Sequence, residues 1–284
     1  MSTSIRAAIV LAAVTMMSST LSGQASDVGH YADVNGIRMY YELHGTGQPL
    51  VLIHGGGSTI ATSFSRLLPV LAKSHRVIAV ELQAHGRTSD RNAPESFAQD
   101  ADDVAELLRQ LNIPKADILG FSNGGSTALQ IAIRHPARVN RLIAISAIYR
   151  RDGMPPEFWG FMERAKFADM PQVLKDGFLR VTPDSAKLLT MFERDRDRMI
   201  AFSDWNASDL RGIQAPVLVV GSDQDVVRVE HELELSRLLP HGRLAIFPGR
   251  HGEFFGEVTY PHPESRVPEL FAAMVDDFLA APAP

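Results

Sequence analysis

The stretch Gly120-Phe121-Ser122-Asn123-Gly124-Gly125 follows the short apolar run Ala116–Leu119 and passes directly into the helical pattern Ser126–His135. A strand that turns into a helix with no intervening loop strains its turning residue, and small neighbours are needed to avoid clashes around it. Such a turn exposes the hydroxyl of Ser122 at the amino end of the helix. With Gly and Ser each near roughly 7% of residues, Gly-x-Ser-x-Gly arises by chance roughly 0.1 times in a chain of this length. Its place between a strand and a helix predicts an α/β fold with chemistry at Ser122, the alternative being a glycine-rich turn with a capping serine.

A serine hydroxyl is a poor nucleophile near neutral pH and needs a base beside it. In open α/β sheets ligands bind beyond the carboxyl ends of the strands, so the residues after each strand are the first to read. Three more strand ends stand out. His54-Gly55-Gly56-Gly57 follows Leu50–Ile53, and successive glycines let backbone N–H groups converge on a developing oxyanion together with the N–H of Asn123. It lacks the Lys-Ser/Thr ending of a phosphate loop and the glycine spacing of a dinucleotide fold. Ser222-Asp223-Gln224-Asp225 follows Pro216–Gly221, and a carboxylate there can orient a catalytic imidazole. Asp225 is the expected partner and Asp223 the alternative. Phe247-Pro248-Gly249-Arg250-His251-Gly252 ends the last strand. His251 is the expected base, with His262 the competitor, and the chain order Ser, Asp, His at successive strand ends is complete.

The scaffold agrees. Val34-Asn35-Gly36-Ile37 predicts an opening hairpin, since Asn-Gly supplies the positive φ angles of a two-residue turn. Runs at Leu50–Ile53, Arg76–Leu82, Ala116–Leu119, Arg141–Ser146, Pro216–Gly221 and Arg243–Phe247 are mostly apolar on successive residues, as in a parallel sheet covered on both faces. Ser96 with Gln99 predicts a capping box, and Leu270, Phe271, Met274, Val275, Phe278 and Leu279 predict a final helix that docks on the sheet. Strands alternating with helices imply an open, doubly wound, mostly parallel sheet. Residues 151–210 break the alternation. Pro155–Lys166, Pro171–Leu179 and Pro183–Phe202 read as helices inserted between two parts of the core, 26–150 and 211–284. Phe158, Trp159, Phe161, Met162, Phe192, Phe202 and Trp205 either roof a pocket over Ser122 or pack this insertion onto the sheet.

Composition excludes other classes. The 284 residues carry a net charge of −5 with no basic tract, which gives no electrostatic footprint for nucleic acid. With no cysteine there are no disulfides, thiolate nucleophiles or Cys-based zinc sites. Residues 1–25 read as a secretory leader: Arg6, the apolar run Ala7–Met17, and Gly23 and Ala25 at the −3 and −1 positions of a cleavage site. A secreted or periplasmic enzyme with no stable membrane insertion after leader removal is the expectation. His231-Glu232 lacks the i+4 histidine of a metalloprotease helix, that position being Leu235. Neither a metal nor a cofactor is expected. Asp100, Asp102, Asp103 and Glu106 read as the solvated face of a helix, and Glu193–Arg198 as a salt-bridged surface.

Together, His54-Gly55-Gly56-Gly57, the elbow at Ser122, Asp225, and Pro248-Gly249-x-x-Gly252 with His251 resemble the α/β-hydrolase superfamily. The likeness covers nearly all of residues 30–280 and is greatest to the esterases, lactonases and carbon–carbon bond hydrolases that carry a helical cap between the sixth and seventh strands. It implies a sheet of about eight strands. It also implies oxyanion donors at Gly56 and Asn123. The segment Glu81–Ser89 is similar to the family's Asp-Leu-x-Gly-His-Gly-x-Ser stretch, with Glu81, Ala84 and Thr88 replacing Asp, Gly and Ser. Relatives of haloalkane dehalogenases or epoxide hydrolases place an aspartate where Ser122 stands. The expected function is hydrolysis of carboxylic esters of small to medium apolar substrates. A lactonase, amide or carbon–carbon bond hydrolase on the same triad is the alternative, and a non-catalytic binding protein the remaining one.

Overall fold

The computed structural model describes residues 29–282. The expected leader and its cleavage site lie outside the described residues. The chain opens with β1 (Gly29–Val34) and β2 (Ile37–His44) as an antiparallel hairpin in which Val34 faces Ile37. Both turn residues, Asn35 (φ 42°) and Gly36 (φ 89°), take the positive φ their types tolerate. Then come β3 (Gln48–Ile53), two short helices α1 (Ile60–Phe64) and α2 (Leu68–Leu71), β4 (His75–Val80), α3 (Phe97–Gln110), β5 (Ala116–Phe121), α4 (Asn123–Arg134) and β6 (Val139–Ile145). Four helices follow without a strand: α5 (Pro156–Arg164), α6 (Gln172–Val181), α7 (Ser185–Ala201) and α8 (Ala207–Arg211). β7 (Val217–Ser222), α9 (Val229–Leu238), β8 (Gly242–Phe247) and α10 (Val267–Ala280) complete the fold.

The eight strands form one sheet in the order β1-β2-β4-β3-β5-β6-β7-β8. β2 runs antiparallel to β1 and β4, and every other pairing is parallel. Alternation along each strand feeds two cores. Val51 and Ile53 of β3 join the layer holding α3, α4 and α9, while Leu50 and Leu52 join the layer holding α1, α2 and α10. No helix among the described residues is long and apolar enough to cross a membrane.

Several expectations needed correction. β5 runs to Phe121, two residues past the apolar run, so Ser122 is the first residue off the strand. Leu270 is 66% exposed while Phe271, Val275, Phe278 and Leu279 are buried, because Leu270 sits at the outer edge of the docked face of α10. Ser96 Oγ accepts from Gln99 N at 3.1 Å, but the Gln99 carboxamide donates to Asp103 instead of returning to the cap. The acidic stretch of α3 is not one solvated face. Asp102 and Glu106 pair outward with Arg134 and Arg109, whereas Asp100 and Asp103 are buried on the same face as Phe97, Val104 and Leu107.

The elbow leaves no room for a side chain at either of its flanking glycines. A Cβ on Gly124 would lie 2.2 Å from the Ile53 carbonyl oxygen, and one on Gly120 would lie 2.0 Å from that of Gly124. Neither partner is a flexible side chain, so Gly124→Ala must displace β3 from β5. It is expected to cost about 3 kcal/mol or more. Urea unfolding measures this, and a change within about 0.5 kcal/mol, typical of surface substitutions, would contradict the packing described.

Candidate active site

Ser122 adopts φ 55° and ψ −118°, a combination that a side-chain-bearing residue holds only when its surroundings enforce it. The surroundings do so through Ser122 N donating to Ile145 O (2.8 Å) and Ser122 O accepting from Ser126 N (3.0 Å). Asn123 is the first residue of α4, so its N–H has no acceptor within the helix. The helix dipole adds positive potential at the same point.

Asp225 and His251 meet across the ends of β7 and β8, with His251 Nδ1 2.7 Å from Asp225 Oδ1. Asp223, the alternative carboxylate, instead accepts from Gly249 N at 2.8 Å and ties down the loop that carries His251. His262 is a mostly exposed side chain. Asp225 is held by more than the imidazole. Its Oδ2 accepts from Ser146 Oγ (2.6 Å) and its Oδ1 from Val227 N (3.1 Å). Burial would raise the Asp225 pKa, but His251 and these donors hold it below the usual carboxylate value. Burial would likewise lower His251, yet the Asp225 charge and hydrogen bond outweigh it, and the imidazole pKa is raised. With the Nδ1 proton directed at Asp225, Nε2 is the nitrogen left to exchange a proton.

Ser122, His251, Gly56 and Asn123 line one cavity of about 310 Å³ between the sheet rim and the inserted helices α5, α6 and α7. The aromatic and methionine residues of the insertion divide. Phe161 and Phe192 line the cavity, Trp159 and Phe202 stack at 5.9 Å and join Phe97, Ile148 and Val227 in a cluster that packs the insertion onto the core, and Phe158 and Met162 do both. A second cluster of Ala84, Met170, Leu174, Phe178, Leu188 and Met191 does the same on the other side. Ala84 holds φ 61°, where the resembling family has glycine, and its methyl group is buried in that cluster.

The run Glu193–Arg198 is only partly the surface it was expected to be. Arg194 reaches Asp90 at 2.7 Å and Arg196 pairs with Asp197, but Asp195 and Arg198 point inward on the face of α7 shared with Leu188, Met191 and Met199. Arg198 Nη1 contacts Asp100 Oδ2 (2.7 Å), Arg198 Nη2 contacts Asp195 Oδ1, and His85 Nε2 lies 2.9 Å from Asp195 Oδ2. Glu95, 3.4 Å from Arg198, completes the cluster. Burial raises the pKa values of Glu95 and Asp100, against the pull of Arg198. Burial would lower that of His85, but Asp195 pushes it up to about 9.

The pair His231-Glu232 serves structure. His231 stacks on Tyr149 with ring centroids 4.5 Å apart, and burial lowers its pKa to about 4. Glu232 lies under Gly221, its pKa pushed up to about 9 by burial and by Asp225, which makes it a neutral neighbour of that carboxylate. Among the described residues, no group of three or more His, Asp or Glu is arranged to hold a metal ion. Nothing in the sequence marks Ser146, and Asp195 and Arg198 fall in the run that reads as surface. For Asp195 and Arg198 a signal existed, since they fall in the i, i+3/i+4 stripe of the buried apolar residues of α7.

Residues 48–216 match the family model described as the alpha/beta hydrolase fold. A 2-hydroxymuconate semialdehyde hydrolase of Pseudomonas sp. strain CF600 is 29% identical over 280 residues, which cover 89% of this chain and 94% of that protein. A 2-hydroxy-6-oxo-2,4-heptadienoate hydrolase of Pseudomonas putida is 27% identical, covering 90% of this chain and 98% of that protein. Among solved structures, an enol-lactonase from Burkholderia xenovorans LB400 superposes with a TM-score of 0.69 at 22% identity, over 89% of this chain and 100% of that one. With the family model matched over more than half of this chain and the strand-turn-helix at Ser122 built as above, the chain belongs to the α/β-hydrolase fold family and is a hydrolase.

Proposed function

We propose that the chain hydrolyses carboxylic esters of small to medium apolar substrates through an acyl-enzyme on Ser122. The observation that carries this reading is the opening of Ser122, His251 and the Gly56 and Asn123 residues onto one cavity with largely apolar walls. His251 Nε2 takes the Ser122 proton as Oγ attacks the ester carbonyl, and Asp225 stabilises the imidazolium that forms. The Gly56 and Asn123 N–H groups hold the tetrahedral oxyanion. His251 then protonates the leaving alcohol, and water repeats the sequence to release the acid.

A second reading, carbon–carbon bond hydrolysis on the same triad, is favoured by the two full-length relatives at 27% and 29% identity. A dienoate is a carboxylate, and the charged side chains lining this cavity are Asp169, Asp195 and Arg196. Arg196 already holds Asp197 at 2.7 Å. An anion would have to draw it away, whereas a neutral ester needs no such exchange. Export to the periplasm or medium is part of the proposal, supported by the leader pattern of residues 1–25.

Substrate preference, substitution, titration and amino-terminal sequencing each check the reading. In a panel of 4-nitrophenyl esters, lactones, anilides and 2-hydroxy-6-oxo-dienoates, short to medium neutral esters should be turned over fastest. Ser122→Ala should lose on the order of 10³-fold or more in kcat. Fast turnover of the dienoate alone would move the assignment to carbon–carbon bonds, and undiminished turnover by the variant would remove Ser122 from the chemistry. Because Asp225 raises the His251 pKa against burial, Asp225→Asn should shift the imidazole titration, followed by NMR, to lower pH; an unmoved or higher midpoint contradicts the coupling. The acidic limb of the activity profile follows the neutral imidazole, so the wild-type rate rises as pH climbs through that raised value. Amino-terminal sequencing of the exported protein should begin at Ser26, and a retained Met1 would exclude cleavage.

A further inference from the structure

Four hydrogen-bond donors from three parts of the core and from α7 itself converge on one carboxylate of the inserted helices. Asp195 Oδ2 accepts from Gly57 N at 2.5 Å and lies 2.9 Å from His85 Nε2. Its Oδ1 accepts from Asn123 Nδ2 at 3.1 Å and from Arg198 Nη2. Two of these partners flank the reacting centre: Gly57 follows Gly56, and Asn123 follows Ser122.

We propose that Asp195 is a positioning residue for the oxyanion hole, latching the His54–Gly57 loop and the first residue of α4 to the cap so that the Gly56 and Asn123 N–H groups face the same point. The inference rests on the acyl-transfer reading above. The glycine loop needs such a latch. Gly57 holds φ +67°, and consecutive glycines leave its peptide planes free to rotate unless something fixes them. On one side the loop is closed by Ser58 N donating to Gly55 O at 3.3 Å, and on the other by Asp195. The fit is close: a Cβ on Gly56 would stand 2.4 Å from Asn123 Nδ2 and 3.3 Å from Asp195 Oδ2. The loop and the elbow residue therefore touch each other as well as the shared carboxylate.

The chemistry of the partners makes a carboxylate necessary. All four offer hydrogens, His85 remaining an imidazolium because Asp195 outweighs its burial, while the same donors hold Asp195 far below the usual carboxylate range. An amide in its place would turn an NH2 toward either the Gly57 and His85 pair or the Asn123 and Arg198 pair. Asp195→Asn is thus a disruptive change at nearly constant volume. Since Asp195 arrives on a helix of the insertion, the oxyanion hole is complete only when that insertion is seated on the core.

Two aryl ketones that differ only in a terminal CF3 or CH3 group test this. The trifluoromethyl ketone accepts Ser122 Oγ at its carbonyl carbon, the serine proton passes to His251, and the carbonyl oxygen becomes the oxyanion. The methyl ketone occupies the cavity without adding. In Asp195→Asn the trifluoromethyl ketone should bind on the order of 10²-fold more weakly while the methyl ketone binds as in the wild type. The same preference for the trifluoromethyl ketone in both proteins would overturn the assignment. A wild type with no such preference would instead overturn the serine-hydrolase reading itself. Should Asp195→Asn not fold, Asn123→Ala severs one arm of the latch and keeps the backbone N–H; it should lower the ratio of the two affinities, and an unchanged ratio would count against Asp195.

Discussion

The left-handed turn of the backbone at Ser122 is the constraint on which the rest depends. It requires β5 to end at Phe121 and α4 to begin at Asn123, with no residue between to absorb the change in direction. That geometry is held from both sides, by β3 pressing its Ile53 carbonyl against Gly124 and by β6 accepting the Ser122 N–H. Strain of this kind costs of order 1–3 kcal/mol and persists only where the surrounding packing outweighs it. Central position in the sheet, with β3 on one side and β6 on the other, supplies that packing.

The same strand order brings the other groups to the serine. The loop after β3 carries Gly56 and Gly57, the end of β6 carries Ser146, and the ends of β7 and β8 carry Asp225 and His251. Ser146 illustrates how the parts support one another, for its hydroxyl fixes Asp225, which fixes the imidazole. The insertion is anchored differently, by two apolar clusters and a buried ionic one. Burying charge is costly, and a buried ion pair is weak evidence of stability unless every partner is satisfied. Here His85 and Arg198 face Asp195 and Asp100, but both Glu95 carboxyl oxygens, Asp100 Oδ1 and Arg198 Nε are buried without a hydrogen-bond partner, so the cluster fixes where the insertion sits more than it adds stability.

Much of this was legible in sequence because strand ends in a parallel sheet are marked locally. An apolar run followed by glycines, a serine, an aspartate or a histidine states both the strand and what it delivers. The hairpin at Asn35-Gly36 is equally local. What the sequence does not mark is tertiary. Asp100, Asp195 and Arg198 were read by charge as surface, although each shares a helical face with buried apolar residues; the partner that makes burial tolerable lies about a hundred residues away in the chain for the Asp100–Arg198 contact. The split of the cap aromatics between cavity wall and packing core could not be read either, since both roles place large apolar groups at the same helical spacing.

Covalent trapping goes to the centre of the matter. After reaction with an uncharged alkyl fluorophosphonate, peptide mapping by mass spectrometry should find one phosphonyl group, on Ser122, with His251→Ala unlabelled on the same timescale because the base is gone. Labelling of another residue, or labelling of Ser122 that proceeds equally fast without His251, would contradict a serine activated by that imidazole.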